Sequence, residues 1–243
     1  MTPNRKHTRG YPVAVLIGLE TAAAHLWQVF SRAVKPMTIV RLDGNRNDPK
    51  ALYNFHESII NALRPTLKQG VRTIIVASPP RTTYSQEFIA HVGRHHAWLT
   101  KNENKVAIAE TTGAAATPSQ VALLANSAEF RELVRETTSE ETENLLELLE
   151  KRLGTSRREN AILFSLEEAE NLILHSSKSC TQKAEYIILT NKYLADSRQK
   201  NRLQRLLQIA SNKKIKTRVV DSESPAGKRV AQLGGFLCLA KSE

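Results

Sequence analysis

His91 and His95 stand four residues apart, a spacing that brings two imidazoles onto one face of a helix and suits a zinc ion when a third ligand converges. A metalloprotease would need glutamate directly after the first histidine as its general base, and Val92 stands there instead. His95 and His96 are therefore expected to cap a partly exposed helix face, with no metal bound. Ser78 precedes Pro79-Pro80 at the end of an apolar run, but the Gly-x-Ser-x-Gly elbow of a serine nucleophile is missing, so a strand-ending turn explains it. Ala226-Gly227-Lys228 has the look of a phosphate-loop ending, yet the preceding glycine and the following Ser or Thr are absent. Glu20, Asp43 and Asp48 are the nearby carboxylates that a metal-dependent nuclease would have to cluster. Trp27 and Trp98 could stack on bases, but each lies in an apolar periodic stretch, which favours packing. No catalytic residue, metal site or cofactor is expected from these patterns.

Charge supplies a stronger signal. Thirty-five Lys and Arg oppose 24 Asp and Glu, a net charge of +11 and a pI near 9.8. A field of this sign draws in polyanions, of which nucleic acid is the commonest in cytoplasm. The excess is uneven. Residues 1–126 carry 15 basic and 7 acidic side chains, residues 127–150 carry 2 and 8, and residues 151–243 carry 18 and 9. An acidic, helical band thus separates two basic bodies, which predicts two domains. RNA contacts are expected from Arg5, Lys6 and Arg9 in a basic tail, and from Arg32, Lys35, Arg41 and Arg46 around a strand–loop region. In the second body the candidates are Arg198, Lys200, Arg202 and Arg205 on one helix, with Lys213, Lys214 and Lys216 after it. Cys180 and Cys238, in apolar or neutral surroundings, offer neither a disulfide framework nor a zinc knuckle. No apolar run reaches the roughly 20 residues of a membrane span, and no secretory signal is read at the N-terminus. The expected location is the cytoplasm.

The elements that must carry these side chains follow from periodicity. Pro12–Leu19, His25–Arg32 and Met37–Leu42 predict a three-strand meander. Asp48-Pro49 is a helix start, and Leu52, Phe55, Ile59 and Leu63 follow at helical spacing until Gly70. Val71–Ser78 predicts a buried strand, a second helix begins at Ser85, Val106–Ala109 a short strand, and Thr117-Pro118 another helix start. In the second body, Leu145, Leu148, Leu149 and Leu153 stripe a helix, and Ser165–His175 makes another. Two strands, Tyr186–Leu189 and Thr217–Val220, flank the helix of Leu203, Leu206, Leu207 and Ala210. A short helix at Ala226–Leu233 then precedes a last strand, Phe236–Ala240. The first body reads βββαβαβα, a mixed sheet flanked by helices, and the second as an α/β/α sandwich.

Several of these segments resemble the central and C-terminal domains of the Pelota family, ribosome-rescue relatives of the archaeal and eukaryotic class-one release factors. The strand VRTIIVASPP (Val71–Pro80) with its following amphipathic helix, and AIAETTGAAATPSQVALLAN (Ala107–Asn126), resemble the central domain. LFSLEEAENLIL, YIILTNKYL and SPAGKRVAQLGGFLCLA follow in the order of the C-terminal domain, the Gly-x-x-x-x-x-Leu-Gly-Gly pattern from Gly227 to Gly235 being the most specific. The resemblance implies an α/β protein of two domains: a basic tail over residues 1–10, a mixed-sheet, RNase H-like central domain over 11–126, and an α/β/α sandwich over 127–243. The family's N-terminal decoding domain has no counterpart in the sequence. The release factors' Gly-Gly-Gln tripeptide is also missing. Gly234-Gly235 is followed by Phe236, and the candidate loop DGNRND (Asp43–Asp48) contains no such motif.

What the resemblance implies is a ribosome-associated, RNA-binding translation factor of rescue, recycling or dormancy type, without peptide release. Its partners would be the ribosome, through rRNA and tRNA, and either a translational GTPase or the ABC-type ribosome-recycling ATPase. Two other readings remain open. One is a peptidyl-tRNA hydrolase or nuclease; the other is a protein-interaction adaptor.

Overall fold

The computed structural model describes residues 11–101, 105–154, 161–174 and 182–242; Arg5, Lys6, Arg9 and Cys180 lie outside them. The chain divides into two compact units. The first runs to Arg64 and resumes at Val71–Glu141, and the second comprises Pro65–Gly70 and the chain from Thr142 onward.

In the first unit, β1 (Pro12–Leu19), β2 (Ala23–Phe30) and β3 (Val34–Arg41) form the expected antiparallel meander. The chain then crosses through α1 (Pro49–Lys68) to β4 (Thr73–Ser78). From there α2 (Tyr84–His95) and the short α3 (Ala97–Thr100) lead to β5 (Ala107–Thr112). The strand order is β3-β2-β1-β4-β5, with β4 parallel to both β1 and β5. This is the mixed sheet flanked by helices expected from the sequence. One face presents Ala14, Leu16, Trp27, Val29, Ile75 and Ala77 to Ala115, Val121 and Phe130. Strand alternation turns the buried Val15, Ile17, Ile74 and Val76 to the other side. The apolar stripes of α1 (Phe55, Ile59, Leu63) and α2 (Phe88, Val92) are buried as well. Trp27 is core, and its indole N–H donates to the Ala115 carbonyl at 2.8 Å.

Local signals explain where the helices begin. The Asp48 carboxylate accepts the Lys50 N–H at 2.9 Å, satisfying one of the free donors of α1, and Pro49 takes the first helical position where its missing N–H costs nothing. Gly70, at φ +104°, ends the segment. Thr117 caps α4 (Pro118–Asn126) through a reciprocal box: its hydroxyl accepts the Gln120 N–H, and the Gln120 side chain accepts the Thr117 N–H.

The acidic band is one helix, α5 (Ala128–Leu153), 26 residues long. A boundary was expected at residues 126/127, but the division falls inside this helix. The reason is Phe130, 2% exposed, which inserts into the first core with Leu133 and Val134 beside it. Leu145, Leu148 and Leu149, further along the same helix, belong to the second core.

The second unit contains β6 (Ile162–Leu163), α6 (Leu166–Leu174), β7 (Gln182–Thr190), α7 (Asn191–Asp196), α8 (Lys200–Asn212), β8 (Lys216–Val220), α9 (Pro225–Gln232) and β9 (Phe236–Ser242). Its sheet order is β6-β9-β7-β8, with β7 parallel to β8 and antiparallel to β9. Tyr186, Ile188, Leu237 and Leu239 meet the leucines of α5 and Val230 of α9 on one face. Ile187, Leu189 and Cys238 are buried on the other, and α6 and α8 contribute the buried Ala169, Ile173, Leu203 and Leu206. Gly227 has a packing role. A Cβ there would sit 1.8 Å from the Asp221 carbonyl oxygen, and its N–H is already taken by the Ser224 cap. The phosphate-loop reading of this turn therefore has no free donor at Gly227 to use. Among the described residues no helix is long and apolar enough to cross a membrane.

Candidate nucleic-acid interface

The candidate basic side chains separate into those committed inward and those free at the surface. Arg46, in the β3–α1 loop, is committed. Its guanidinium carbon lies 3.5 Å from the centroid of the Tyr84 ring, one nitrogen donates to the Glu20 carbonyl at 3.1 Å, and another is 3.5 Å from a Glu87 carboxylate oxygen. Only 11% of the side chain is exposed. Burial draws its pKa down and Glu87 opposes this, leaving a cation that fastens the loop to α2. Arg46 therefore leaves the set of expected RNA contacts. Arg32 and Arg41 remain exposed and Lys35 half-buried, and none of the three makes a side-chain hydrogen bond or ion pair among the described residues.

The second unit sorts in the same way. Arg202 pairs with Glu170 at 2.5 Å, Lys213 donates to the Ile173 carbonyl, and Lys216 lies 3.5 Å from Glu185 and 4.4 Å from the Tyr186 ring centroid. Arg198, Lys200, Arg205 and Lys214 are exposed and carry no such contact among the described residues. Lys200 opens α8 and Arg198 precedes it by two residues, while the first turn of α8 contains no acidic residue. The positive end of the helix dipole and its unpaired N–H groups thus add to the side-chain charge there, an arrangement suited to phosphate.

Glu20, Asp43 and Asp48, the carboxylates considered for nuclease chemistry, form no metal-ligating group among the described residues. Asp48 caps α1, and Glu20 lends its carbonyl to Arg46. Ser78 is buried, and its hydroxyl donates to Ser85, which in turn donates to Glu110; it does not stand exposed as a nucleophile would.

A cluster that the sequence reading missed lies on the α1–α2 side of the first unit. Glu57 Oε1 is 3.0 Å from His91 Nε2 and 2.7 Å from His96 Nε2. His95, four residues after His91, remains exposed; its ring lies edge-on to Tyr53 and tilted against His91. The difference arises because α2 stops at His95. His96, at φ −125° and ψ 54°, departs from helical geometry and returns its ring beneath His91, 5% exposed instead of capping an exposed face. Burial alone would raise the Glu57 carboxyl, but hydrogen bonds from His96 and His91 hold it below its usual value. Burial lowers His91, partly offset by Glu57. His56, next to His91 and almost fully enclosed, is pushed down to about 4 by burial and by the neighbouring His91 and Arg46.

A five-stranded mixed sheet with helices on it, followed by a four-stranded α/β/α sandwich, is the fold of the central and C-terminal domains of the Pelota and release-factor family. Among solved structures it is shared with Dom34 of S. cerevisiae, a translation termination-like factor involved in RNA quality control pathways and interacting with Hbs1 (17% identity, TM-score 0.51, 95% of this chain and 62% of that one). It is shared also with ribosome-bound archaeal Pelota, described together with ABCE1 (13% identity, TM-score 0.52, 94% of this chain and 62% of that one). At these identities the likeness is one of fold, and the chain spans 62% of the length of either structure. No protein-family model matches the sequence, and no curated protein does.

Proposed function

We propose that this protein is a ribosome-associated, RNA-binding translation factor that acts by docking and not by catalysis. The observation that carries the reading is the shared fold of both units with ribosome-bound Pelota over 94% of the chain. The exposed, uncommitted cations Arg32, Arg41, Arg198, Lys200, Arg205 and Lys214 supply phosphate contacts with rRNA or tRNA. The β3–α1 loop carries no Gly-Gly-Gln, and its single arginine is turned inward onto Tyr84. Peptide release by the release-factor mechanism is therefore not part of the proposed activity. On programmed ribosomes holding peptidyl-tRNA, the protein should bind without freeing peptide; a burst of peptide that depends on it would overturn this part of the reading.

Partner docking is the second component. Dom34 interacts with Hbs1, and the ribosome-bound Pelota structure includes ABCE1. By analogy of fold, the second unit of this chain is proposed to engage a translational GTPase or an ABC-type recycling ATPase in the cytoplasm. A pure adaptor would bind such a partner with ribosomes absent and would ignore RNA.

A further inference from the structure

We propose that Glu57, His91 and His96 form a binding site for a divalent transition-metal ion of the zinc type. The inference is independent of the ribosomal reading. Glu57 Oε1 lies 3.0 Å from His91 Nε2 and 2.7 Å from His96 Nε2, and one donor atom from each of the three residues lies within 4.8 Å of the other two. A tetrahedral ion with ligands at about 2.0–2.2 Å separates its donors by about 3.3–3.5 Å. The Glu57 oxygen is 2.7 and 3.0 Å from the two imidazole nitrogens, closer than that value, so the ion enters as these two hydrogen bonds open by about 0.3–0.8 Å.

The donor set has the chemistry of zinc. Two imidazoles and one carboxylate are a ligand trio of open zinc sites, in which the fourth position belongs to water. The burial matches: His91 and His96 are enclosed at 7% and 5% exposure, while the Glu57 side chain is 28% exposed and leaves one side reachable by solvent. The ligands come from α1, from α2 and from His96 at the break between α2 and α3, so an ion would tie α1 to the end of α2.

Proton bookkeeping gives the site a specific signature. Trp98 Nε1 donates to His96 Nδ1 at 3.3 Å, which places the His96 proton on Nε2, where it is shared with Glu57. An ion at Nε2 needs that lone pair, so the proton moves to Nδ1 and the Trp98 N–H must turn away. Trp98 is 37% exposed and has room to do so. The His91 Nε2 proton, where present, moves to its own Nδ1. No oxidation and no group transfer is involved.

The test uses the full-length protein without a histidine tag, stripped with a chelator and titrated separately with Zn²⁺ and Co²⁺. One equivalent of ion is expected to bind, with visible cobalt absorption of the tetrahedral kind and a change in Trp98 fluorescence. Glu57→Gln keeps an acceptor for both imidazole N–H groups but gives up the anionic ligand, so it should stay folded by circular dichroism and lose binding. His96→Ala should lose binding too, and His95→Ala, outside the donor set, should keep it. Trp98→Phe removes the donor competing for His96 Nδ1 and should bind zinc more tightly. Failure of the wild type to bind one equivalent would overturn the proposal, as would uptake by Glu57→Gln and His96→Ala equal to the wild type.

Discussion

The guanidinium of Arg46 stacks on the ring of Tyr84 at 3.5 Å and joins the β3–α1 loop to the first turn of α2. The same group serves the Glu20 carbonyl and faces Glu87, so one loop residue closes three separate segments around a cation that is mostly removed from water. A charge in this position stabilises only while its partners are present.

Arg46→Ala is accordingly expected to cost about 2–3 kcal/mol, from the lost cation–π contact and charged hydrogen bond. Urea denaturation followed by tryptophan fluorescence reads this directly, since Trp27 and Trp98 both lie in the first unit. The ribosome affinity of the folded variant should stay close to wild type. A stability unchanged by the substitution would contradict the inward role.

His56 makes stability depend on pH. Its folded pKa of about 4 lies below the ordinary 6.5, so the unfolded chain takes up the proton first. The stability linked to this group is fully present above pH 6.5 and falls as pH drops from 6.5 towards 4, by up to about 1.4 kcal/mol per pH unit. His56→Gln should flatten the urea midpoint across that window. A wild-type midpoint that rises on acidification from pH 6.5 to 5 would have the wrong sign.

Phe130 tests where the units divide. If the start of α5 belongs to the first core, Phe130→Ala should destabilise that core by about 3–5 kcal/mol, seen in the fluorescence of Trp27, its neighbour in the cluster. An effect below about 1 kcal/mol would indicate that residues 128–141 add little to it.

Much of this architecture was legible in the sequence because the deciding signals are local. Asp48-Pro49 and Thr117-Pro118 mark helix starts through capping chemistry contained within four residues, and the structure uses both. The apolar runs at Pro12–Leu19 and Thr73–Ser78 sit at the middle of the first sheet, where strands are covered on both faces. What escaped detection depends on tertiary placement. Glu57 lies 34 residues from His91, and the useful histidine spacing is five across a helix break, a pattern no helical period contains. Arg46 reads as one more loop cation until Tyr84 is brought beneath it. Phe130 sits in a band so acidic that its charge suggested a boundary, whereas one buried aromatic assigns that stretch to the first core. β6, two residues long, is too short to leave any period.

The surface cations divide into groups with different expected effects. Replacing Arg198, Lys200, Arg205 and Lys214 together by Ala should weaken ribosome binding and make its salt dependence shallower, with little change in stability, since all four are exposed. Arg202→Ala should matter less for binding, because its guanidinium is already held by Glu170. Equal affinity for the quadruple variant and the wild type would remove α8 from the interface and shift the contact to Arg32 and Arg41, or to Arg5, Lys6 and Arg9.

Co-sedimentation with purified ribosomes across a range of salt concentrations is the most direct test of the central claim. Phosphate-driven docking predicts an affinity that falls steeply, by about 0.9 log unit per log unit of salt for each duplex phosphate contacted and about 0.7 for single strands. Failure to sediment with ribosomes at low salt, or an affinity indifferent to salt, would contradict it.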